Sequence, residues 1–443
     1  MIEKALDARL MPGEQVILQP PGECSLQAEP GLSPKPPYLP DVGVIGLVSD
    51  QWEYPWWQPR HRILSLMSRY FNVVWCNPAQ SWRKLWLANA HQNQGVDVNN
   101  DRSPEFTIYQ PERWLPEFGR PPFLSHWTMQ QRLRRAKQML LARGCCKIIL
   151  HLWRPQYEMA LDLVDYDLSC YHIDDEYTFS EVEKPVEQRE ARLISRADQV
   201  FIHSPALMEK KGKLNPRTAF VPNGVDYRGY TASYREPADL SPIPHPRIGY
   251  VGIIKKQLDF DLLIALAQRH QQWSFVFVGP QPNIDETAVS AQEFFRMPNV
   301  YLLGGKPLGA LPAYTQHLDV CVLCYKVNGY TKFIYPLKLH EYLASGRPVV
   351  GSQIRSLREF ADIIRLARTT DQWSQALKES LAPAACSAVQ VKARRNVARR
   401  HDWNTLVRLI VHTLCDRIGP SYLERLEKIP SSEPVVPPVI SDG

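Results

Sequence analysis

The fold class that the sequence predicts is α/β, with two doubly wound, Rossmann-like domains facing a central cleft. Three observations predict it. Short apolar runs alternate with amphipathic segments from Val42 to Val221, as a parallel sheet with crossover helices requires. A second alternating series begins at Arg247. Between them, residues 231–246 hold Pro237, Pro242, Pro244 and Pro246, the composition of a linker. A length of 443 residues leaves room for two cores.

Taken in order, residues 1–40 form a Pro-rich leader. The first domain, 41–230, opens with the apolar run Val42–Leu47, then a helical spacing over Pro59–Tyr70 and a strand at Asn72–Cys76. A basic helix is expected at Thr128–Arg143, and strands at Lys147–Leu150, Leu168–Ile173, Gln199–Ile202 and Thr218–Val221. Helices Glu187–Arg196 and Pro205–Lys213 lie among the last three. The second domain, 247–395, has expected strands Arg247–Val251, Ser274–Val278, Val300–Leu303, Val320–Leu323 and Pro348–Val350. Its expected helices are Asp259–His270, Leu308–Gln316, Pro336–Ser345 and Asp371–Leu381. C-terminal helices over 396–428, including Thr405–Ile418, are expected to pack back on the first domain, before a Pro-rich tail at 429–443.

The charged fraction of 22% and hydrophobic fraction of 44% are those of an ordinary globular protein. A net charge of +6 is too mild to argue for nucleic acid and suits acidic small molecules or an anionic membrane surface. No run approaches the ~20 apolar residues of a membrane span, and no secretory leader is evident, so a cytoplasmic location with reduced thiols is expected. Cys321 and Cys324 have the C-x-x-C spacing, but they sit in an apolar run without a second pair, which favours core thiols over zinc.

The most informative stretch is Ile334–Gly351. Pro336 suits the start of a helix and Gly346 the residue past its end. Lys338 and Glu341 share one face. A lysine in the first turn opposes the helix dipole unless an anion binds there, and a helix N-terminus is a natural phosphate site. A carboxylate one turn later suits a sugar hydroxyl. Phosphate at the tip and ribose on the flank is the footprint of a nucleotide; the plain alternative is a solvated surface helix.

The segment Pro336-Leu-Lys-Leu-His-Glu-Tyr-Leu-Ala-Ser-Gly-Arg-Pro-Val-Val350 resembles the donor-binding signature of glycosyltransferase family four and its relatives of GT-B fold. Val221-Pro-Asn-Gly-Val-Asp226, Ile248-Gly-Tyr-Val-Gly252 and Asn299–Gly304 agree with it in order. The resemblance implies a nucleotide diphosphate sugar as donor substrate, no further cofactor and no metal. It places the donor on Gly252, Lys255, Lys256, Gly279, Lys338, Leu339 and Glu341. Family four often carries two glutamates flanking seven residues; Glu341 matches the second, and the first falls on Phe333. Thr331, Lys332 and Tyr335 occupy that loop and are expected to contact the donor instead. The usual arginine after the glycine is Ile253 here.

In the first domain, Asp174 and Asp175 follow a predicted strand, so either acid or His172 can orient an acceptor hydroxyl or act as a base. Paired carboxylates can instead hold a divalent metal, or merely cap a turn. Asp50, Trp52, Arg60 and His61 flank the first strand-to-helix connection, with Trp56 and Trp57 beside them; aromatic faces stack on sugars, though they also fill cores. The expected catalytic set is Asp174, Asp175 and His61, and the expected acceptor set Asp50, Trp52, Arg60 and His172. Ser204 reads as ligand contact or helix cap, and Glu190 as structural. Trp82–Trp86 with Arg132, Arg134, Arg135 and Lys137 reads as a peripheral membrane patch or a solvated basic face.

The expected function is transfer of a sugar to a hydroxyl of a glycan or lipid-linked glycan, with retention, in bacterial exopolysaccharide or cell-surface polysaccharide assembly. A nucleotide-sugar epimerase of the same fold and a degenerate, non-catalytic partner in a glycan-synthesis complex are the alternatives. No nucleic-acid motif is present.

Overall fold

The computed structural model describes residues 36–54, 57–83, 85, 105–178, 183–281 and 289–430. Most of the leader, the tail, Trp56, Lys84 and Trp86 lie outside the described residues.

Two all-parallel sheets form the frame. The first has seven strands: β1 Val42–Leu47, β2 Asn72–Cys76, β3 Phe106–Tyr109, β4 Lys147–Leu152, β5 Leu168–Ile173, β6 Gln199–Ile202 and β7 Thr218–Phe220, in spatial order β3-β2-β1-β4-β5-β6-β7. The second has six: β8 Arg247–Val251, β9 Ser274–Val278, β10 Val300–Leu302, β11 Val320–Leu323, β12 Val349–Ser352 and β13 Arg365–Ala367, in order β10-β9-β8-β11-β12-β13. Strand order reverses beside β1 and beside β8, and loops at these switch points diverge to leave a crevice outside the carboxyl ends. The apolar central strands β1, β2, β5, β8 and β9 are buried along their whole length, as strands with helices on both faces must be.

The four-residue β3 and three-residue β13 were not anticipated, nor were the helices Val289–Phe295 and Ala388–Arg400, whereas Pro420–Glu427 falls within the helices expected over 396–428. The basic helix starts at Pro122 rather than Thr128, and the Leu308–Gln316 segment divides into a 3-10 turn, Leu308–Ala310, and a helix, Leu311–Gln316. Cys321 and Cys324 are buried free thiols.

The crossing between domains differs from the Pro-rich linker. Val225, Tyr230, Leu240 and Ile243 already belong to the core of the second domain, so the chain crosses before Val225 and the prolines of 231–246 lie on that domain's surface. A return crossing runs alongside: the Val225 amide donates to His401 O at 2.9 Å and the Trp403 amide to Val225 O at 3.0 Å. The helix Trp403–Ile418 then buries Leu406, Val407, Ile410 and Leu414 against one face of the first sheet, beside Val44, Trp75 and Cys170.

Candidate functional site: the cleft between the sheets

The carboxyl ends of both sheets face one cavity of about 280 Å³. Its floor on the second domain is built by two glycines. Gly252, directly after β8, has φ +137, and Gly279, directly after β9, has φ +155. A Cβ on Gly252 would stand 2.0 Å from Lys338 Cε, and one on Gly279 would stand 2.0 Å from the Gly252 carbonyl oxygen. Both positions therefore require glycine, for backbone angle and for close approach. The result is a flat cradle with the Lys338 side chain lying across it.

Lys338 sits in the first turn of the helix Leu337–Ala344, for which Pro336 is the cap residue in extended conformation. Its ammonium lies 5.2 Å from the Tyr250 ring centroid and, among the described residues, forms no hydrogen bond or ion pair. Burial lowers its pKa to about 8, against the opposing pull of Glu341, and nearby Lys255 adds to the lowering. Burial also lowers Lys255, which Asp175 counteracts from across the cleft. Glu341, one turn after Lys338, is raised by burial, with Lys338 and the Tyr230 hydroxyl opposing. Two unpaired ammonium groups beside a helix N-terminus and a glycine cradle make a receptor for a polyanion.

The opposite wall is made by residues that follow β4, β5 and β6. Asp174 accepts from Arg154 Nη1 at 2.5 Å, Arg60 Nη1 at 2.5 Å and the Tyr177 hydroxyl at 2.7 Å. Arg60 also pairs with Asp50. Burial alone would raise the Asp174 pKa, but the two guanidinium groups hold it far below the usual carboxylate range. Asp174 is thus a fixed anion that positions Arg60 and Arg154. Asp175 differs. Burial and the Asp174 charge raise its pKa, and from across the domains it accepts from the Tyr330 hydroxyl at 3.3 Å. It is the carboxylate of the pair suited to take a proton.

His203, directly after β6, was missed by sequence reasoning. Its Nδ1 lies 3.1 Å from the Ile173 carbonyl oxygen. A carbonyl only accepts, so the proton sits on Nδ1 and Nε2 keeps its lone pair at the cleft wall. Arg154 was missed too. The signal common to Arg154, Asp174, His203, Gly252 and Gly279 is a place within two residues of the end of a parallel strand.

The cleft brings together Arg60, Asp174, Asp175, Gly252, Lys255, Gly279, Tyr335, Lys338 and Glu341. Other expected site residues lie elsewhere. His61 is fully buried; its Nδ1 accepts the Gln58 amide, Trp52, Trp57 and Trp75 surround it, and burial lowers its pKa to about 4. Trp52 fills that same aromatic core, and His172 stacks on Trp153 at 4.2 Å inside the sheet layer. Neither reaches the acceptor side. Asp50 acts through Arg60. Lys256 is exposed outside the cavity, and Leu339 is a core residue. The Thr331 hydroxyl is buried and donates to Lys326 O at 2.5 Å, tying its own loop. Lys332 pairs with Glu183 in the other domain. Ser204 caps the helix Pro205–Lys211, and Glu190 forms a buried pair with Lys211 at 2.8 Å.

Comparison with known proteins agrees with this geometry. Residues 245–382 match the family described as glycosyl transferases group 1. A Bacillus subtilis (strain 168) protein named as a teichuronic acid biosynthesis glycosyltransferase, TuaH, is 31% identical over 247 residues, 52% of this chain and 59% of that relative. The chain thus spans less than two thirds of that relative's length. Among solved structures, a glycosyltransferase from Rickettsia africae superposes with TM-score 0.61 at 9% identity, over 88% of this chain and 100% of that one. An E. coli trehalose-6-phosphate protein bound with UDP-2-fluoro glucose gives TM-score 0.60 at 12% identity, over 86% and 99%. These likenesses show the fold.

Proposed function

We propose that this chain, a GT-B protein whose residues 245–382 belong to the glycosyl transferases group 1 family, transfers a sugar from a nucleotide diphosphate sugar to a hydroxyl of a glycan acceptor. The observation that carries the reading is the pair of unpaired ammonium groups, Lys338 and Lys255, above the Gly252–Gly279 cradle, facing Asp175 and His203 across the cleft. The lysines hold the diphosphate. The amides at the start of the helix Leu337–Ala344 and the lysines stabilise the charge that grows on the leaving phosphate. That supply of positive charge supports a metal-independent reaction. Glu341 accepts hydrogen bonds from the ribose hydroxyls. Asp175, with its raised pKa, or the free Nε2 of His203 receives the acceptor proton; retention of configuration remains the family expectation.

The relative named for teichuronic acid biosynthesis supports a cell-surface polysaccharide as the setting. No helix among the described residues is long and apolar enough to cross a membrane. Exposed Trp82, Trp114, Phe123 and Trp127 lie within one stretch that also holds Arg83, Arg113 and Arg120. This supports a peripheral contact with an anionic bilayer and a lipid-linked acceptor.

The test is calorimetry of the protein with UDP, GDP, ADP and their sugars, with and without Mn²⁺. Tight binding of one diphosphate without metal, lost in Glu341→Ala and Lys338→Met, is expected. One observation favours the degenerate-partner reading: buried Phe333 lines the cleft where relatives often place a glutamate. Failure to bind any of the nucleotides would turn the assignment to that reading.

A further inference from the structure

A second cavity, of about 160 Å³, opens at the carboxyl ends of β1, β2 and β3 and shares no lining residue with the donor cleft. It lies at the β1/β4 switch point of the first sheet, where that sheet has no other ligand assigned. Leu47, Cys76 and Met129 give it an apolar floor.

Its polar groups are unusual in what they leave unused. Arg132 enters from the helix Pro122–Leu141. Among the described residues its guanidinium makes one hydrogen bond, from Nε to Thr128 O of its own helix at 3.3 Å. Among those same residues the terminal nitrogens have no partner, and no acid lies within ion-pair distance. Burial lowers its pKa, with Glu117 opposing from the exposed rim. The two phenols in the wall spend their protons elsewhere. Tyr157 donates to Val48 O at 2.6 Å and Tyr109 to Glu112 at 2.6 Å. Asn77 is committed as well, accepting from the Trp52 amide and donating to Gln110. The donors left over are the Arg132 fork, the Ser49 hydroxyl and the Gln156 amide. Ser49 precedes Asp50, and Gln156 follows Arg154 by two residues, so the same two loops serve both cavities.

A half-buried guanidinium without an anion is costly to keep, and its planar fork matches a carboxylate or phosphate in bidentate fashion. We propose that this pocket is an acceptor subsite that receives an oxyanion, the carboxylate of an acidic sugar or a phosphate, on Arg132, with Ser49 and Gln156 holding neighbouring oxygens. The inference rests on the sugar-transfer reading above. It makes the enzyme selective for anionic acceptors and assigns that selectivity to the first domain.

Ligand-observed NMR on the full chain, with UDP present and absent, tests it. The probes are methyl glucuronide, methyl glucoside, phenyl phosphate and inorganic phosphate. The expected result is binding of glucuronide or of the phosphates alongside UDP, and none of the glucoside. Comparison of the glucuronide with the two phosphates tells which source the pocket prefers. Arg132→Gln should weaken anion binding roughly 10- to 100-fold, the scale of a lost charge-assisted pair. Arg132→Lys should retain part of it, and Glu117→Gln should leave or tighten it. UDP binding should be equal in all three, which also reports that they fold. Anion binding that is absent from the wild type, or unchanged in Arg132→Gln while UDP still binds, overturns the subsite and leaves the donor reading intact. Anion binding that depends on Arg132 in a protein that binds no nucleotide overturns the acceptor role through failure of the donor reading.

Discussion

Replacing Lys338 by methionine should make the protein more stable and unable to bind its donor. Burial brings the lysine to a pKa of about 8, against an ordinary value near 10.4. The cation is therefore held at a cost, and a shift of this size sets a ceiling of about 3 kcal/mol. Lys338 is half-buried, so solvent screening reduces the expected gain for Lys338→Met at pH 7 to roughly 1–2 kcal/mol. The sign follows from proton counting. Between about pH 8 and pH 10.4 the unfolded chain binds a proton that the folded one has lost, so wild-type stability rises with pH across that window. The advantage of the methionine variant should be full below pH 8 and fade by about pH 10.4. Urea unfolding of both proteins at pH 7, 8.5 and 10 measures it. Calorimetry at the same pH values with whichever nucleoside diphosphate the wild type binds reads the functional side. Wild-type affinity should fall about tenfold between pH 7 and 9, as the charged fraction drops to ~10%, and the variant should show no such slope. A variant that is less stable than wild type at pH 7, or a nucleotide affinity flat from pH 7 to 9, would refute the reasoning.

Gly252→Ala should leave the circular dichroism spectrum unchanged while weakening nucleotide binding at least about tenfold, because the new methyl group displaces Lys338. Asp174→Asn and Asp175→Asn should separate cleanly. The first leaves Arg60 and Arg154 without their shared anion and should cost about 3–5 kcal/mol in denaturant unfolding. The second should unfold near the wild-type midpoint and lower kcat by roughly 10²–10⁴, with little change in donor affinity. Lys211→Met strands Glu190 in the core of the first domain, while Glu176 keeps Lys210, and should lose about 3–5 kcal/mol without altering nucleotide affinity in the folded fraction.

The central strands were legible because burial on both faces writes an uninterrupted apolar run, as in Val42–Leu47 and Ser274–Val278. Edge strands carry no such mark. Arg365–Ala367 is short, begins with a charged residue, and is fixed by pairing with β12 rather than by its own composition. The helix Ala388–Arg400 escaped for a related reason. Its sequence is largely polar, and its buried Arg394 is satisfied by the Ala385 carbonyl just before the helix and by that of Gly346, far away in sequence. At the site, position after a strand located the right loops but not the right side chains. Asp174 and Asp175 are adjacent and look equivalent in sequence; only the arrival of Arg154 and Arg60 from other segments makes Asp174 a fixed anion, while Asp175 takes part in no ion pair among the described residues. His61 read as catalytic and His172 as acceptor-binding by residue type, yet each is enclosed by aromatic rings supplied by other segments, Trp75 beside His61 and Trp153 beside His172. Lys338 and Glu341 were legible because a helix start and a three-residue spacing are local facts.

The return of the helix Trp403–Ile418 to the first sheet has a consequence for biosynthesis. One face of that sheet, including Trp75 and Cys170, stays uncovered until the ribosome has delivered nearly the whole second domain. Domains usually condense in the order in which they emerge. Here the first to emerge is the last to be finished, so the nascent chain presents a sticky, half-capped sheet throughout translation of its partner. A release or frameshift that removes residues 403–418 would therefore spoil the first domain, although every one of its strands had already been made.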